Sequence, residues 1–162
     1  MVKKCLLALM VFTGVACSTL TPAERAERAA RKAALVEKAL ADRHYTIDVQ
    51  MMYPQQGPAR NVSGDYSLEV RGDTLISYLP YFGRAYLVPY GGGKGLNFSE
   101  LISNYEVTKK PKGLTEIAIE LTNEEDNYLY LLSIFDNGSA TIDVRSKQRQ
   151  PISYSGEMQI EQ

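Results

Sequence analysis

Apolar residues recur at every second position in successive segments from Tyr45 almost to the end of the chain. That period admits little except antiparallel strands with one buried face. Tyr45, Ile47, Val49, Met51 and Tyr53 alternate with polar residues, as do Tyr66, Leu68 and Val70. Ile117, Ile119 and Leu121 repeat the pattern, then Ile142 and Val144, and Ile152, Tyr154, Met158 and Ile160 carry it to the C-terminus. The run from Tyr128 to Phe135 is apolar on both faces, which suits a central strand, and Asn137-Gly138 directly after it is a strong hairpin signal. Gly72-Asp73 marks another tight turn. Leu75 to Leu79, Ala85 to Val88 and Ile102 to Thr108 bring the count to about eight strands. No long helical pattern separates them, so parallel βαβ units are excluded. The expected fold is mainly β: an antiparallel meander, curled or barrel-like, preceded by one N-terminal helix. The alternative is a two-layer α+β sheet with that helix on one face.

The helix is legible before the strands begin. Thr21-Pro22-Ala23-Glu24 supplies a capping residue, a proline suited to the first helical position and a glutamate to complete a capping box. Ala-rich sequence without Gly or Pro then runs to about Asp42. Ala26, Ala29, Ala33, Val36 and Leu40 form a narrow apolar stripe, and Glu24–Arg28 and Glu27–Arg31 are favourably spaced pairs. The stripe suits a solvated stalk of about 30 Å, whose last turns, Val36 to Leu40, dock on the body. A second reading lays the helix on lipid headgroups through Arg25, Arg28, Arg31 and Lys32.

Lys3 and Lys4, an apolar run from Leu6 to Phe12, and the small residues Gly14-Val15-Ala16 before Cys17 have the layout of a secretory signal. The run is far shorter than the roughly 20 residues of a spanning helix. Cys17 after Val15-Ala16 resembles a bacterial lipobox, although Gly14 stands where Leu is usual. The expected organisation is a lipoprotein signal peptide at 1–16, a lipidated Cys17 and helical stalk over 17–43, and a β-rich domain over 44–162. The anchor would make a membrane one partner. Ser18, with no acidic run after it, favours the outer membrane facing the periplasm. Cys5 would be lost with the signal, leaving no second thiol for a disulfide.

Charge and chemistry exclude more than they assign. The whole chain carries a net charge of −1, and loss of Lys3 and Lys4 makes it more acidic, so it lacks the electrostatic footprint of a nucleic-acid binder. There is a single His, His44, at the junction of helix and first strand, a poor place for a buried base. Zinc ligands are wanting. Glu124-Glu125-Asp126-Asn127 reads as a solvated hairpin turn, since it lacks the spaced ligands of a calcium loop. Gly91-Gly92-Gly93-Lys94-Gly95 lacks P-loop spacing. No catalytic residue, metal or cofactor is expected, although a carboxylate pair for hydrolysis is a three-dimensional property that sequence does not display.

The most distinctive stretch is Ser77-Tyr78-Leu79-Pro80-Tyr81-Phe82-Gly83-Arg84-Ala85-Tyr86, followed by Pro89-Tyr90-Gly91. Together with Asp136-Asn137-Gly138-Ser139-Ala140 and Ile152-Ser153-Tyr154-Ser155-Gly156 it resembles a family of Bacteroides-type exported proteins known as domain of unknown function 4251. The resemblance covers the chain beyond the helix and implies an envelope lipoprotein with a β-rich domain. It implies no activity. From the residues themselves, Pro80 ends a strand and Gly83 suits a turn with positive φ. Tyr78, Tyr81, Phe82, Tyr86 and Tyr90 crowd aromatic rings around Arg84. These rings either close one end of a barrel with their hydroxyls in water, or form a surface for a protein or small-molecule ligand with Arg84 as polar anchor. The leading functional expectation is a non-enzymatic envelope lipoprotein binding through this aromatic end. A carboxylate-based hydrolase and a lipid-tethered structural or inhibitor protein are the alternatives.

Overall fold

Helix α1 (Pro22–Ala41) begins where the capping sequence places it. Thr21 Oγ1 accepts from the Glu24 N–H at 3.3 Å, and the Glu24 carboxylate accepts from the Thr21 N–H at 2.7 Å. Donation to the Glu24 carboxylate by the Thr21 N–H, and next by the Thr21 hydroxyl at 2.9 Å, draws that carboxyl below its ordinary range. The Glu27–Arg31 pair forms at 2.6 Å, whereas the Glu24 carboxylate is taken up by the cap. The computed structural model describes residues 21–62, 64–86 and 95–160; the expected signal peptide and Cys17 lie outside them. Among the described residues no helix is long and apolar enough to cross a membrane. The first ten residues of α1 are solvated, and the helix docks through Val36, Ala39 and Leu40.

The rest is one antiparallel sheet. Its strands are β1 (His44–Pro54), β2 (Arg60–Asn61), β3 (Ser67–Arg71), β4 (Thr74–Leu79), β5 (Leu96–Leu101), β6 (Asn104–Lys110), β7 (Leu114–Thr122), β8 (Asn127–Phe135), β9 (Ser139–Ser146) and β10 (Ile152–Met158). The order is β5-β4-β3-β1-β10-β9-β8-β7-β6, with β2 a short addition to β1. β5 and β6 are consecutive in sequence yet lie at opposite edges, joined only by Ile102 and Ser103. Such a link is possible only if the sheet curls until its edges approach. The backbone bonds of the link show this: Ile102 N–H donates to Asp73 on one arm and Ser103 N–H to Glu120 on the other, each at 2.8 Å. The result is a curled half-barrel with its core on the concave face.

The period-two residues supply that core as expected: Leu68, Val70, Ile117, Ile119, Ile142, Val144 and Tyr154 are all buried. One strand departs from its sequence phase. β1 pairs in register with β10 up to Val49–Gly156 and resumes at Met51–Ser155, so Gln50 is an inserted bulge residue. The bulge shifts the alternation by one, burying Met52 and turning Met51 and Tyr53 outward, opposite to the sequence expectation. Gly156 faces the bulge, and a β-carbon there would run into the Asp48 carbonyl oxygen. The aromatic-rich sequence of β1 conceals this insertion because every residue from Met51 to Tyr53 is apolar.

Two strand assignments also change. Ile102 to Thr108 is not one strand; Ile102 lies in the inter-arm link and β6 starts at Asn104. β5 was not expected, because Leu96, Phe98 and Leu101 fall out of phase and Leu101 points to solvent. Ala85 makes only an isolated bridge to Arg149, and Val88 lies outside the described residues. Tyr128 to Phe135 is an interior strand, but it is fully buried on its concave side only.

Candidate functional site

The aromatic segment leaves β4 at Leu79 and is fastened across the end of the half-barrel. Tyr86 N–H donates to Gln148 at 2.7 Å, Gln150 N–H donates to Arg84 at 3.0 Å, and Arg84 N–H donates to the Gln150 side chain at 3.1 Å. Tyr154 hydroxyl donates to the Pro80 carbonyl at 2.7 Å. Tyr81 is half-buried, and its hydroxyl lies within bonding range of the Arg84 carbonyl at 3.0 Å and the Gln150 carbonyl at 3.1 Å. Its hydroxyl is therefore committed to protein, not wet. Gly83 does not take positive φ, contrary to its expected role. It is required by space, since a β-carbon would lie 2.7 Å from the Tyr81 hydroxyl.

The remaining rings of the segment face outward. Tyr78, Phe82 and Tyr86 are 50%, 47% and 64% exposed. Tyr78 stacks on Tyr66 with ring centres 5.1 Å apart, and the Arg60 guanidinium lies 4.0 Å from the centre of the Phe82 ring. Arg84 is exposed, with its backbone rather than its side chain making the described bonds to the 148–150 strip. Tyr90 lies outside the described residues. The structure thus divides the sequence-selected cluster: Tyr81 is support, and Tyr78, Phe82, Arg84 and Tyr86 are surface.

Beneath the segment lies a polar layer that the sequence did not advertise. The acidic turn between β7 and β8 is not solvated as expected. Asp126 is buried, and its carboxylate accepts from the N–H groups of Asn127, Lys147 and Gln148 at 2.8, 3.1 and 3.0 Å. Glu125 pairs with the buried Arg149 at 2.8 Å. Ser77, on the concave face, donates to the Leu96 carbonyl at 2.7 Å and accepts from the Tyr130 hydroxyl at 3.1 Å. Burial drives the Tyr130 and Tyr154 phenols well above their ordinary range. Burial also raises Tyr128, against the opposing pull of Arg149. Tyr130 and Tyr154 hold their protons and serve as fixed donors to Ser77 and Pro80, whereas the buried Tyr128 hydroxyl has no hydrogen-bond partner among the described residues. His44 is exposed at the start of β1, remote in the sheet from this layer. The arrangement is a bonded polar layer beneath an exposed aromatic surface.

A second concavity was not singled out by sequence reasoning. Between α1 and the β6–β7 edge runs a cleft of about 680 Å³, floored by Val36, Leu40, Leu114 and Ile134. Its only sequence sign is the row Ala30, Ala33 and Ala34 on the helix wall.

The family model described as Domain of unknown function (DUF4251) matches residues 27–158, which includes most of α1 and every strand. Among solved structures, a crystal structure of a DUF4251 family protein from Bacteroides eggerthii DSM 20697 is similar, with a TM-score of 0.64 at 15% identity. The match covers 81% of this chain and 89% of that one, and it shows a shared fold. No curated protein matches the chain.

Proposed function

The chain belongs to the DUF4251 family, and we propose that it is a non-catalytic, lipid-tethered envelope protein that binds an acidic protein partner through Tyr78, Phe82 and Tyr86. In this reading Cys17 carries the lipid, at the outer membrane facing the periplasm, and the solvated half of α1 spaces the half-barrel from the bilayer. The carrying observation is the pairing of rigidity with exposure. Three large aromatic side chains are exposed on fixed backbone: Tyr78 is paired within the sheet to β3 and β5, and the segment carrying Phe82 and Tyr86 is bonded to the 148–150 strip at Arg84 and Tyr86. Preordered aromatic anchors lose little entropy on binding, and they dominate interface energies. Arg60 and Arg84 stand beside them and select for acidic groups.

The test is site-specific photocrosslinking in intact cells from positions 78, 82 and 86, with position 27 on the solvated helix as control. A discrete adduct is expected from the three aromatic positions and not from the control. Arg60→Glu with Arg84→Glu should abolish it while the purified protein keeps its unfolding midpoint. No adduct, or one indifferent to the charge reversals, would overturn the assignment. Intact-mass measurement of the membrane-extracted protein tests the anchor, with a diacylglyceryl mass on a chain starting at Cys17 expected. An unmodified Cys17 or cleavage elsewhere removes the tether without touching the partner surface.

A further inference from the structure

The concave face of the sheet is left unfinished at β6. Tyr105, Val107 and Lys109 pair across to Ile119, Ile117 and Thr115, so they project to the same side as the core. Ile117 and Ile119 are buried there, yet Val107 is 49% exposed. The missing cover is explained by the opposite wall, where α1 presents Ala30, Ala33 and Ala34 to the gap. Alanine leaves volume that larger helix residues would fill, and the cleft of about 680 Å³ results. That lies in the range of small-molecule sites, about 300–1,000 Å³. The floor is aliphatic, while the rim carries Arg43, Lys109 and Lys110 against Glu37 and Asp136. Two of these cations are paired outside the cleft, Arg43 with Asp73 and Lys110 with Glu116, each at 3.3 Å. Lys109 reaches from β6 to Glu37 on α1 at 2.5 Å, so an ion pair bridges the two walls. The pair is exposed, and water screening leaves it weak enough to exchange.

We propose that this cleft binds a single-chain anionic amphiphile, a medium- or long-chain carboxylate, with its alkyl chain between α1 and β6 and its headgroup on Lys109 in place of Glu37. The alkyl chain completes the concave face where Val107 is uncovered, and the carboxylate takes the ammonium of Lys109, the rim cation whose ion pair crosses the cleft. The site is separate from the aromatic platform and does not depend on it.

Calorimetric titration of the purified chain with octanoate, decanoate and dodecanoate, each below its micellar threshold, tests the assignment. Each added methylene should tighten binding about fourfold. Lys109→Glu should weaken dodecanoate at least tenfold and favour dodecyltrimethylammonium, whereas Glu37→Gln should tighten dodecanoate. Ala33→Phe should fill the cleft and abolish binding. Val107→Trp, at a half-exposed position that tolerates bulk, does the same if Ala33→Phe fails to fold. Phe82→Ala should leave binding unchanged. Affinity independent of chain length, or unaltered by Val107→Trp, overturns the proposal. So does a concentration-dependent dimer that Val107→Asp dissociates, since a second copy would then occupy the cleft.

Discussion

The two ends of the concave face are built from the same sheet and finished in opposite ways. Where the β4–β5 arm closes over β7 and β8, the space is filled by large side chains, and most of their polar atoms are committed, the Tyr128 hydroxyl and Arg149 Nε excepted. Tyr130 bonds Ser77, Tyr154 bonds Pro80, and Phe98 packs on Tyr128 with ring centres 4.9 Å apart. Where α1 lies against β6, the helix offers alanines and the sheet offers a half-exposed valine. The difference is one of side-chain volume more than of backbone. A strand wall approached by another strand arm can be filled from both sides, whereas a wall approached by an alanine row stays hollow. The closed end supplies rigidity to the aromatic platform, and the open end supplies volume.

If that contrast is right, truncation at the closed end should cost far more than truncation at the open one. Tyr130→Ala leaves a cavity and removes the donor to the Ser77 hydroxyl, which keeps its own bond to Leu96, and should destabilise the fold by about 4 kcal/mol in urea unfolding. Val107→Ala should cost less than about 1 kcal/mol. Equal losses would erase the distinction between the two ends. Asp126→Ala should come next, at about 3 kcal/mol, because it deprives the N–H groups of Asn127, Lys147 and Gln148 of their shared acceptor. A loss under 1 kcal/mol would mean water replaces the carboxylate and the polar layer is not truly closed.

These residues also mark where sequence stops being informative. The helix, its cap and most strands were legible because each rests on a local rule: a capping box, or an alternation that one buried face enforces. The bulge at Gln50 was hidden, because an all-apolar Met51-Met52-Tyr53 reads equally well in either phase. β5 was hidden because its cover comes from β7 and β8, distant in sequence. Asp126 looked like a surface carboxylate, since its three donors come from its own turn and from residues 147 and 148. The aromatic segment was found from composition alone, but only packing separates Tyr81 as support from Tyr78, Phe82 and Tyr86 as surface. The cleft is defined by side chains that are small, and absence of volume leaves little trace in a sequence.

Alkaline titration reads the burial of the core tyrosines through their protonation, Tyr45 beside the open end and Tyr130 and Tyr154 at the closed one. Burial raises the phenols of Tyr45, Tyr130 and Tyr154. The folded chain then holds protons that the unfolded chain releases near pH 10. Their stabilisation is complete below that value and is lost as pH climbs beyond it toward the folded values. The expected loss is about 1 kcal/mol for each such tyrosine at about pH 11. Unfolding free energies measured between pH 8 and 11 should fall on this schedule, and Tyr130→Phe should flatten the slope by one proton's share. A slope unchanged in Tyr130→Phe would place water at the closed end.

The smallest effect is the most discriminating, because it applies one chemical change to both kinds of packing. Ala140 on β9 is buried in the concave face, and Ala33 on α1 borders the cleft. Ala140→Leu inserts methylenes where no room exists and should cost about 1–3 kcal/mol through forced rotamers and strand displacement. Ala33→Leu places the same atoms in a gap beside Val36 and Val107. Its change should stay within about 0.5 kcal/mol or favour the folded state, as apolar area leaves water without displacing a neighbour. Urea unfolding of the two variants decides the matter. A matching penalty at Ala33 would mean the alanine row is tightly seated and the cleft is closed in solution. A neutral or stabilising Ala33→Leu would leave the hollow as a property of the fold that a ligand chain, like the added leucine, can fill.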